Sequence, residues 1–459
     1  MRITRRQFMA GAAAAMSAPY IFSRSALGAD APGASKDRLN VACVGLGRRI
    51  PGHLKGLTLR LKQNIVALCD VDETKIAAAR QIIGDDGAKP KAYRDYRKLL
   101  ESEKSLDAVI VSTPDHWHAA ICTAAIRAGK HVFCEKPLAH SVAETRRLSE
   151  LSRQAKVITQ TGNQGSAAPT LRRSIEAIQA GVMGDIREVH VWHPSHGWPC
   201  GIDRPAGEDP APAGLDWDFW VGPAPMRPYK DGMYHPIKWR GWYDFGGGSL
   251  ADFCCHALNL PVRALKMGYP TKISISGTGM GKESFPASCT VRFEFPARQK
   301  LPAVTVFWYT GGEMPPERVT KDLPATFRKI PYLGCMLLGD KGDLSAGLWN
   351  DECTLKLKGE PKFRGVMNHE ALKDIPHTLP QSDGQLDEWV AACLGGPKVF
   401  SDFDIGGHLT EIGLAGVVAL RLNRDIEWDG QAMKVKGAPE AADLIDLPCR
   451  QKWQWSSRA

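Results

Sequence analysis

At 459 residues, 43% hydrophobic and 24% charged, the chain is too long for one ordinary core and has the composition of a globular protein with two domains. The formal charge of +9 does not mark a nucleic-acid binder: Arg2, Arg5, Arg6 and Arg24 sit in a first segment of 28 residues without an acid, and no basic run carries interleaved aromatics. No run of roughly 18 apolar residues, the length of a membrane span, stands out.

The first segment, "TRRQFMAGAAAAMSAPY" followed by "SALGAD", has a basic start, a small-residue apolar stretch and small side chains at Ala26 and Gly28. It is expected to be a signal peptide over residues 1–29. Thr4-Arg5-Arg6-Gln7-Phe8 resembles the twin-arginine export motif, which implies passage of an already folded protein to the periplasm. Twelve cysteines would be many for an exported disulfide protein. Cys43, Cys69, Cys122, Cys134 and Cys289 lie in apolar runs, and Cys254-Cys255 are adjacent, so they read as buried thiols. No CxxC pair or Cys/His ligand spacing occurs, and His193 and His196 lack a third ligand at a fitting distance, so no metal is expected.

After a polar linker, strand and helix patterns alternate. "RLNVACVGLG", "IVALCDVD", "LDAVIVSTP", "HVFCEKP" and "KVITQTGNQ" read as strands. Between them lie "TKIAAARQII", with Thr74 placed to cap it, "HAAICTAAIRAGK", and "SVAETRRLSELSRQA", which opens on a capping box of Ser141 and Glu144. This alternation predicts a doubly wound parallel sheet over 37–160. From 161 to 445 a helix, an alternating strand "IREVHVWH", a Pro-, Gly- and Trp-rich stretch over 194–248 and later strands predict a second α/β domain. Its large open sheet should be mainly antiparallel, with one face able to form a homodimer or tetramer contact. A loop as long as 194–248 is uncommon unless it carries function.

Gly45-Leu46-Gly47-Arg48-Arg49-Ile50 begins as a Gly-x-Gly-x-x-Gly fingerprint but has Ile50 in the third glycine's place. The preceding strand and Asp70, at the end of the next one, give it weight. Gly45 suits the tight turn, Gly47 lets backbone approach a pyrophosphate, and Arg48 and Arg49 add cations. Asp70 should accept from a ribose and repel a 2′-phosphate, which favours NAD over NADP.

"STPDHWHAAICTAAIRAGKHVFCEKPLAHS" resembles the Gfo/Idh/MocA oxidoreductases, with Glu135-Lys136-Pro137 as the family hallmark, and "WRGWYDFGGGSLADFCCHALNL" resembles their second signature, a Gly-rich turn before Asp-x-x-x-His. Asp252 and His256 are four apart, so on a helix they share a face, and a carboxylate one turn away can orient a histidine for proton transfer. The resemblance implies that His256 exchanges the hydroxyl proton of a secondary alcohol, with Lys136 beside it stabilising alkoxide and Asp252 binding sugar or orienting His256. It also implies Thr113, Pro114, His118, Glu135, Gln164, Trp239 and Arg240 around the cofactor. Trp192, His193, Tyr229, Tyr234 and Trp242 are candidate sugar contacts. Where family members often carry an acid three residues after the histidine, this chain has Asn259. These features predict an NAD-dependent dehydrogenase of a sugar or polyol. Two alternatives stay open: an NAD-dependent glycosidase that oxidises and re-reduces a ring carbon, and a non-catalytic sugar-binding protein, which Ile50 and Asn259 would suit.

Overall fold

The computed structural model describes residues 37–84, 89–193, 197–323 and 334–453; the expected signal segment and His196 lie outside them. The first sheet holds β1 (Asn40–Val44), β2 (Asn64–Cys69), β3 (Lys91–Tyr93), β4 (Ala108–Val111), β5 (His131–Cys134) and β6 (Thr159–Thr161). Its order is β3-β2-β1-β4-β5-β6, with every pair parallel. β1 and β4 are apolar at nearly every position because both faces are covered. Val41, Cys43 and Ile110 feed one core, and Ala42, Val44, Val109 and Val111 the other. The strand order reverses between β1 and β4, which opens a crevice at their C-terminal ends.

Helix starts follow local chemistry. Ser141 and Glu144 form the expected capping box on Val142–Gln154. Helix Glu73–Ile83 is capped by Asp72, whose carboxylate accepts from Thr74 N, rather than by Thr74 itself. Asp72 is extended and preceded by β2, so the helix has room to start one residue before Thr74.

The second sheet holds β7 (Ile186–His193), β8 (Lys272–Thr278), β9 (Ser288–Phe295), β10 (Val304–Thr310), β11 (Gly334–Gly339), β12 (Gly342–Gly347), β13 (Cys353–Leu357), β14 (Arg364–Gly365), β15 (Ile426–Asp429) and β16 (Lys434–Val435). Its order is β14-β13-β12-β11-β7-β10-β9-β8-β15-β16; β7 and β10 pair in parallel and the other described pairs are antiparallel. Alternation sorts its side chains: Val189 and Val191 join a core shared with several helices, whereas Trp192 packs with Tyr309 and Met336 on the other face.

Helix Phe403–Leu422 is long and apolar enough for a membrane span, yet 83% of its apolar window is buried in the fold. It packs against helices Val142–Gln154 and Gly248–Ala257, and its glycines permit the approach: a Cβ on Gly407 would overlap the Ser149 side chain, and one on Gly413 would stand 3.1 Å from the Ala251 Cα. Helix Gln385–Cys393 also returns to the first sheet, where Leu386, Trp389 and Val390 share a core with Ile50 and Phe133. The described residues from Arg38 onward therefore form one compact unit. All twelve cysteines are free, most of them buried.

The long stretch after β7 builds its own small core. Trp220, Tyr234, Trp242 and Phe245 enclose the buried Arg227, whose guanidinium lies 5.4, 5.8 and 5.0 Å from the Tyr234, Trp242 and Phe245 rings. Arg227 also pairs with Asp244 and Glu283.

Candidate active site

The crevice between β1 and β4 opens into a cavity of about 480 Å³. At one end it is walled by the turn after β1. Gly45 has φ +79°, and a Cβ there would stand 2.5 Å from Thr113 N, so glycine is required. A Cβ on Gly47 would meet nothing within 4 Å, which leaves bare backbone facing the cavity. Ile50 opens the following helix, Ile50–Lys55, and is fully buried. Its place in the third glycine's position is thus a packing change: an apolar side chain fills the gap between helix and strand.

Asp70 lines the same end. Its Oδ2 accepts from Leu46 N at 2.6 Å and its Oδ1 from Asp72 N at 2.9 Å. The carboxylate holds the glycine turn, and each oxygen keeps a lone pair for a ribose hydroxyl. With Arg48 and Arg49 at the rim, this end fits the phosphates and diol of a dinucleotide, and Asp70 opposes a 2′-phosphate.

At the other end, three elements meet. Lys136, just past β5, sends its ammonium to Asp252 Oδ2 at 2.8 Å and to the Asp252 carbonyl at 3.1 Å. Arg240 Nε reaches Asp252 Oδ1 at 3.3 Å, while its guanidinium covers the Trp239 ring at 4.1 Å. Burial alone would raise Asp252, but Lys136 and Arg240 hold it down to about 2. Helix Gly248–Ala257 carries Asp252 and His256 one turn apart. Burial, reinforced by the Lys136 cation, lowers His256 to about 3, and its Nδ1 is buried without a hydrogen-bond partner. The imidazole is therefore neutral, and the same burial and neighbouring cation make it a weak base in the empty site.

Glu135 faces the opposite way from Lys136. Its Oε1 is 2.7 Å from His53 Nε2 and 3.4 Å from Arg49 Nε. Against its burial, His53, Arg49 and Lys136 hold it at about 2. Its Oε2 is buried without a partner. Asp115, at the start of helix Asp115–Arg127, also lines the cavity and accepts from Gly247 N at 3.0 Å. Burial, with the Asp252 charge adding, raises it to about 8.

Gly45, Gly47, Arg48, Arg49, Asp70, Thr113, Pro114, Glu135, Lys136, Trp239 and Arg240 all line this one cavity. Asp252 and His256 are buried behind Lys136 and are not part of its lining, and two of the expected cofactor contacts also lie off it. His118 is buried, with Nδ1 2.8 Å from Pro137 O and Nε2 2.9 Å from Thr113 O. It ties two strand ends together behind the site. Gln164 instead bridges Gly162 O at 3.2 Å and the Arg49 guanidinium at 2.8 Å.

Four expected sugar contacts are also displaced. Trp192 is packed on the far face of the second sheet. Tyr234 and Trp242 are consumed by the core around Arg227, and Tyr229 packs on Trp217 and is nearly buried. Aromatic rings in a long loop need a core of their own, and these residues supply it. His193 alone of that set reaches the Lys136 end, through Phe253 at 4.1 Å. Asn259 is buried between Ser166 Oγ, 2.9 Å away, and Arg263 Nε, 2.7 Å away, so it closes a structural network rather than touching substrate.

Sequence reasoning missed the roof. Residues 214–240 cross back over the cavity: Leu215 bridges Asp72, Asp216 N bonds to Val71 O at 3.0 Å, and His235 Nε2 lies 2.9 Å from Asp72 Oδ2. Phe219, Trp220, His235, Pro236 and Ile237 line the cavity from this side. Arg450 pins the strap from outside through Asp218 at 2.7 Å and Gly222 O at 2.7 Å. Only the length of the loop hinted at such a role.

Residues 39–163 match an oxidoreductase family model described as an NAD-binding Rossmann fold, and residues 197–278 match its C-terminal α/β domain. The chain is 30% identical over 179 residues to myo-inositol 2-dehydrogenase of Thermotoga maritima, covering 39% of this chain and 48% of that one. It is 35% identical over 113 residues to a glycosyl hydrolase family 109 protein of Shewanella pealeana, covering 24% and 25%. The chain thus spans about half or less of the length of these curated relatives. In fold it is similar to an inositol dehydrogenase homolog from Azotobacter vinelandii complexed with NAD+, with TM-score 0.60, 19% identity, and coverage of 85% and 97%. The two matched stretches are thus similar to the Gfo/Idh/MocA oxidoreductases, the first to their NAD-binding Rossmann domain and the second to their C-terminal α/β domain.

Proposed function

We propose that the protein oxidises a secondary alcohol of a sugar or polyol. The observation that carries this reading is that Lys136 and Arg240 line one end of a cavity whose other end is built for a dinucleotide, and that Asp252, one helical turn from His256, holds both of them there. Bound NAD would supply the hydride acceptor. Gly45, Gly47 and Asp70 would hold its phosphates and ribose, and Thr113, Pro114 and Glu135 would border its reactive half. His256, kept neutral by burial, takes the hydroxyl proton. The Lys136 ammonium, fixed on Asp252, stabilises the negative charge that develops on the oxygen in a site with little water. Arg240 shares Asp252, which keeps that carboxylate ionised and out of the proton traffic. Incubation of dinucleotide-loaded protein with a panel of sugars and cyclitols is the test. Absorbance should grow at the reduced-nicotinamide band with at least one of them; silence across the panel would sink the reading.

A second reading, a glycosidase that oxidises and re-reduces the same ring, has one specific observation in its favour. The strap over the cavity is stitched to Asp72 and to Arg450 on opposite sides, an arrangement that suits a cofactor retained through turnover. The family 109 similarity points the same way. Aglycone release without accumulating reduced cofactor would select this reading. We also propose export through the twin-arginine route, since a retained cofactor has to be loaded before the folded chain leaves the cytoplasm.

A further inference from the structure

On helix Gly248–Ala257 every residue is buried except Phe253. The Lys136 ammonium lies over its ring at 5.1 Å. Trp198 lies near-parallel to it at 6.4 Å, and Trp349 stands edge-on at 6.5 Å and 80°. Trp349 is also 6.1 Å from the His256 ring and remains 37% exposed.

The turn that carries Trp349, between β12 and β13, is held firmly. The next residue, Asn350, is fully buried with φ +57°. Its Oδ1 accepts from Leu260 N at 3.0 Å and its Nδ2 donates to Gly347 O at 3.1 Å. Gly165 leaves room for the Trp349 carbonyl, which a Cβ there would strike. An indole held exposed on a fixed turn beside the proton-handling histidine is placed for contact with a ligand.

We propose that Trp349 is the stacking wall for the substrate ring and sets its stereochemical preference. Phe253 forms the floor that holds the Lys136 ammonium. The ring class is a pyranose or cyclitol with mainly equatorial hydroxyls, because such rings present a continuous face of axial C–H groups to the indole. An axial hydroxyl on that face would be stripped of water against carbon with no acceptor to receive it. The proposal rests on the reading of Lys136 and His256 given above.

The test measures binding, without turnover, of methyl β-D-glucopyranoside and its 4- and 3-epimers, methyl β-D-galactopyranoside and methyl β-D-allopyranoside, whose axial hydroxyls block opposite ring faces, to the dinucleotide-loaded full chain. Calorimetry gives affinity, and saturation-transfer NMR gives the contact face. The glucoside should bind more tightly than the epimer whose axial hydroxyl lies on the contacted face, with strongest transfer to the axial ring protons of that face. Trp349→Ala should weaken it about tenfold or more and bring the epimers within about twofold of each other. Trp349→Phe should restore most of the preference, and bound dinucleotide should be the same in all three proteins. Equal glucoside affinity in Trp349→Ala, or no glucoside binding by the parent, would overturn the proposal. Epimer selectivity that depends on Trp349, in a protein that oxidises no sugar, keeps the wall and removes the oxidoreductase reading. Sugar oxidation indifferent to Trp349→Ala does the reverse.

Discussion

Lys136 and Asp252 lie 116 residues apart in the chain and meet at 2.8 Å, with a second bond from the ammonium to the Asp252 carbonyl. The lysine comes from the end of a strand in the first sheet and the aspartate from a helix on the second. Their ion pair joins the two sheets beside the cavity.

Lys136→Met removes the cation while keeping the length of the side chain. Turnover of any accepted sugar should fall about a hundredfold or more, the scale of a lost preorganised charge. Bound dinucleotide should stay near the parent level, because Gly45 and Asp70 hold the far end. Turnover within tenfold of the parent would remove Lys136 from the chemistry.

His256 should be neutral across the working range. Its ordinary value is 6.5 and burial lowers it to about 3. An unfolded chain thus takes a proton near 6.5 that the native state refuses until about 3, so this group's contribution to stability is lost as pH falls below 6.5. Imidazole NMR should find the ring neutral at about pH 5. A midpoint between 6 and 7 would contradict the burial argument.

Asp115 carries the opposite sign. Burial raises it from 3.8 to about 8, so the native state holds a proton that the unfolded chain has released. Stability falls as pH rises through that window, by up to about 1.4 kcal/mol per pH unit. Asp115→Asn carries no titrating proton there. Melting of the dinucleotide-free variant should improve relative to the parent between about pH 5 and 8; parallel melting curves would rule out a protonated Asp115.

Gly45→Ala and Gly47→Ala separate fold from binding. The first puts a Cβ at positive φ against Thr113 N, so both melting temperature and dinucleotide content should drop. The second meets only open space, so melting of the empty protein should hold while dinucleotide affinity weakens. Unchanged affinity in Gly47→Ala would place the phosphates elsewhere.

The strap makes a kinetic prediction. His235→Ala breaks the 2.9 Å contact with Asp72 and should raise the dinucleotide dissociation rate about tenfold, the scale of one charge-assisted bond. Stopped-flow release from loaded protein measures it. An unchanged rate would mean that the strap does not gate the cofactor.

The parts of the site that were legible in the sequence are those whose chemistry is local. Gly45, Gly47 and Asp70 end adjacent parallel strands, and Asp252 and His256 sit one helical turn apart, so spacing alone carries their geometry. The fold class was legible for the same reason, since strand–helix alternation leaves few alternatives. The aromatic residues were not, because an aromatic residue does not announce which core it joins. Trp192 faced away because of its parity in β7, and Tyr234 and Trp242 were drawn to Arg227. Trp349 comes near His256 only through the register of β12 and β13 and the Asn350 anchor, neither of which its neighbours in sequence reveal.

Helix Gln385–Cys393 has a consequence for biosynthesis. It delivers Leu386, Trp389 and Val390 to the apolar layer that contains Ile50 and Phe133, more than 200 residues after the first sheet has left the ribosome. The nucleotide half therefore waits, with an uncovered face, until translation is nearly finished. Cofactor capture and completion of the chain become one late event, and a polypeptide stalled before residue 385 should be a client for chaperones rather than a holder of dinucleotide.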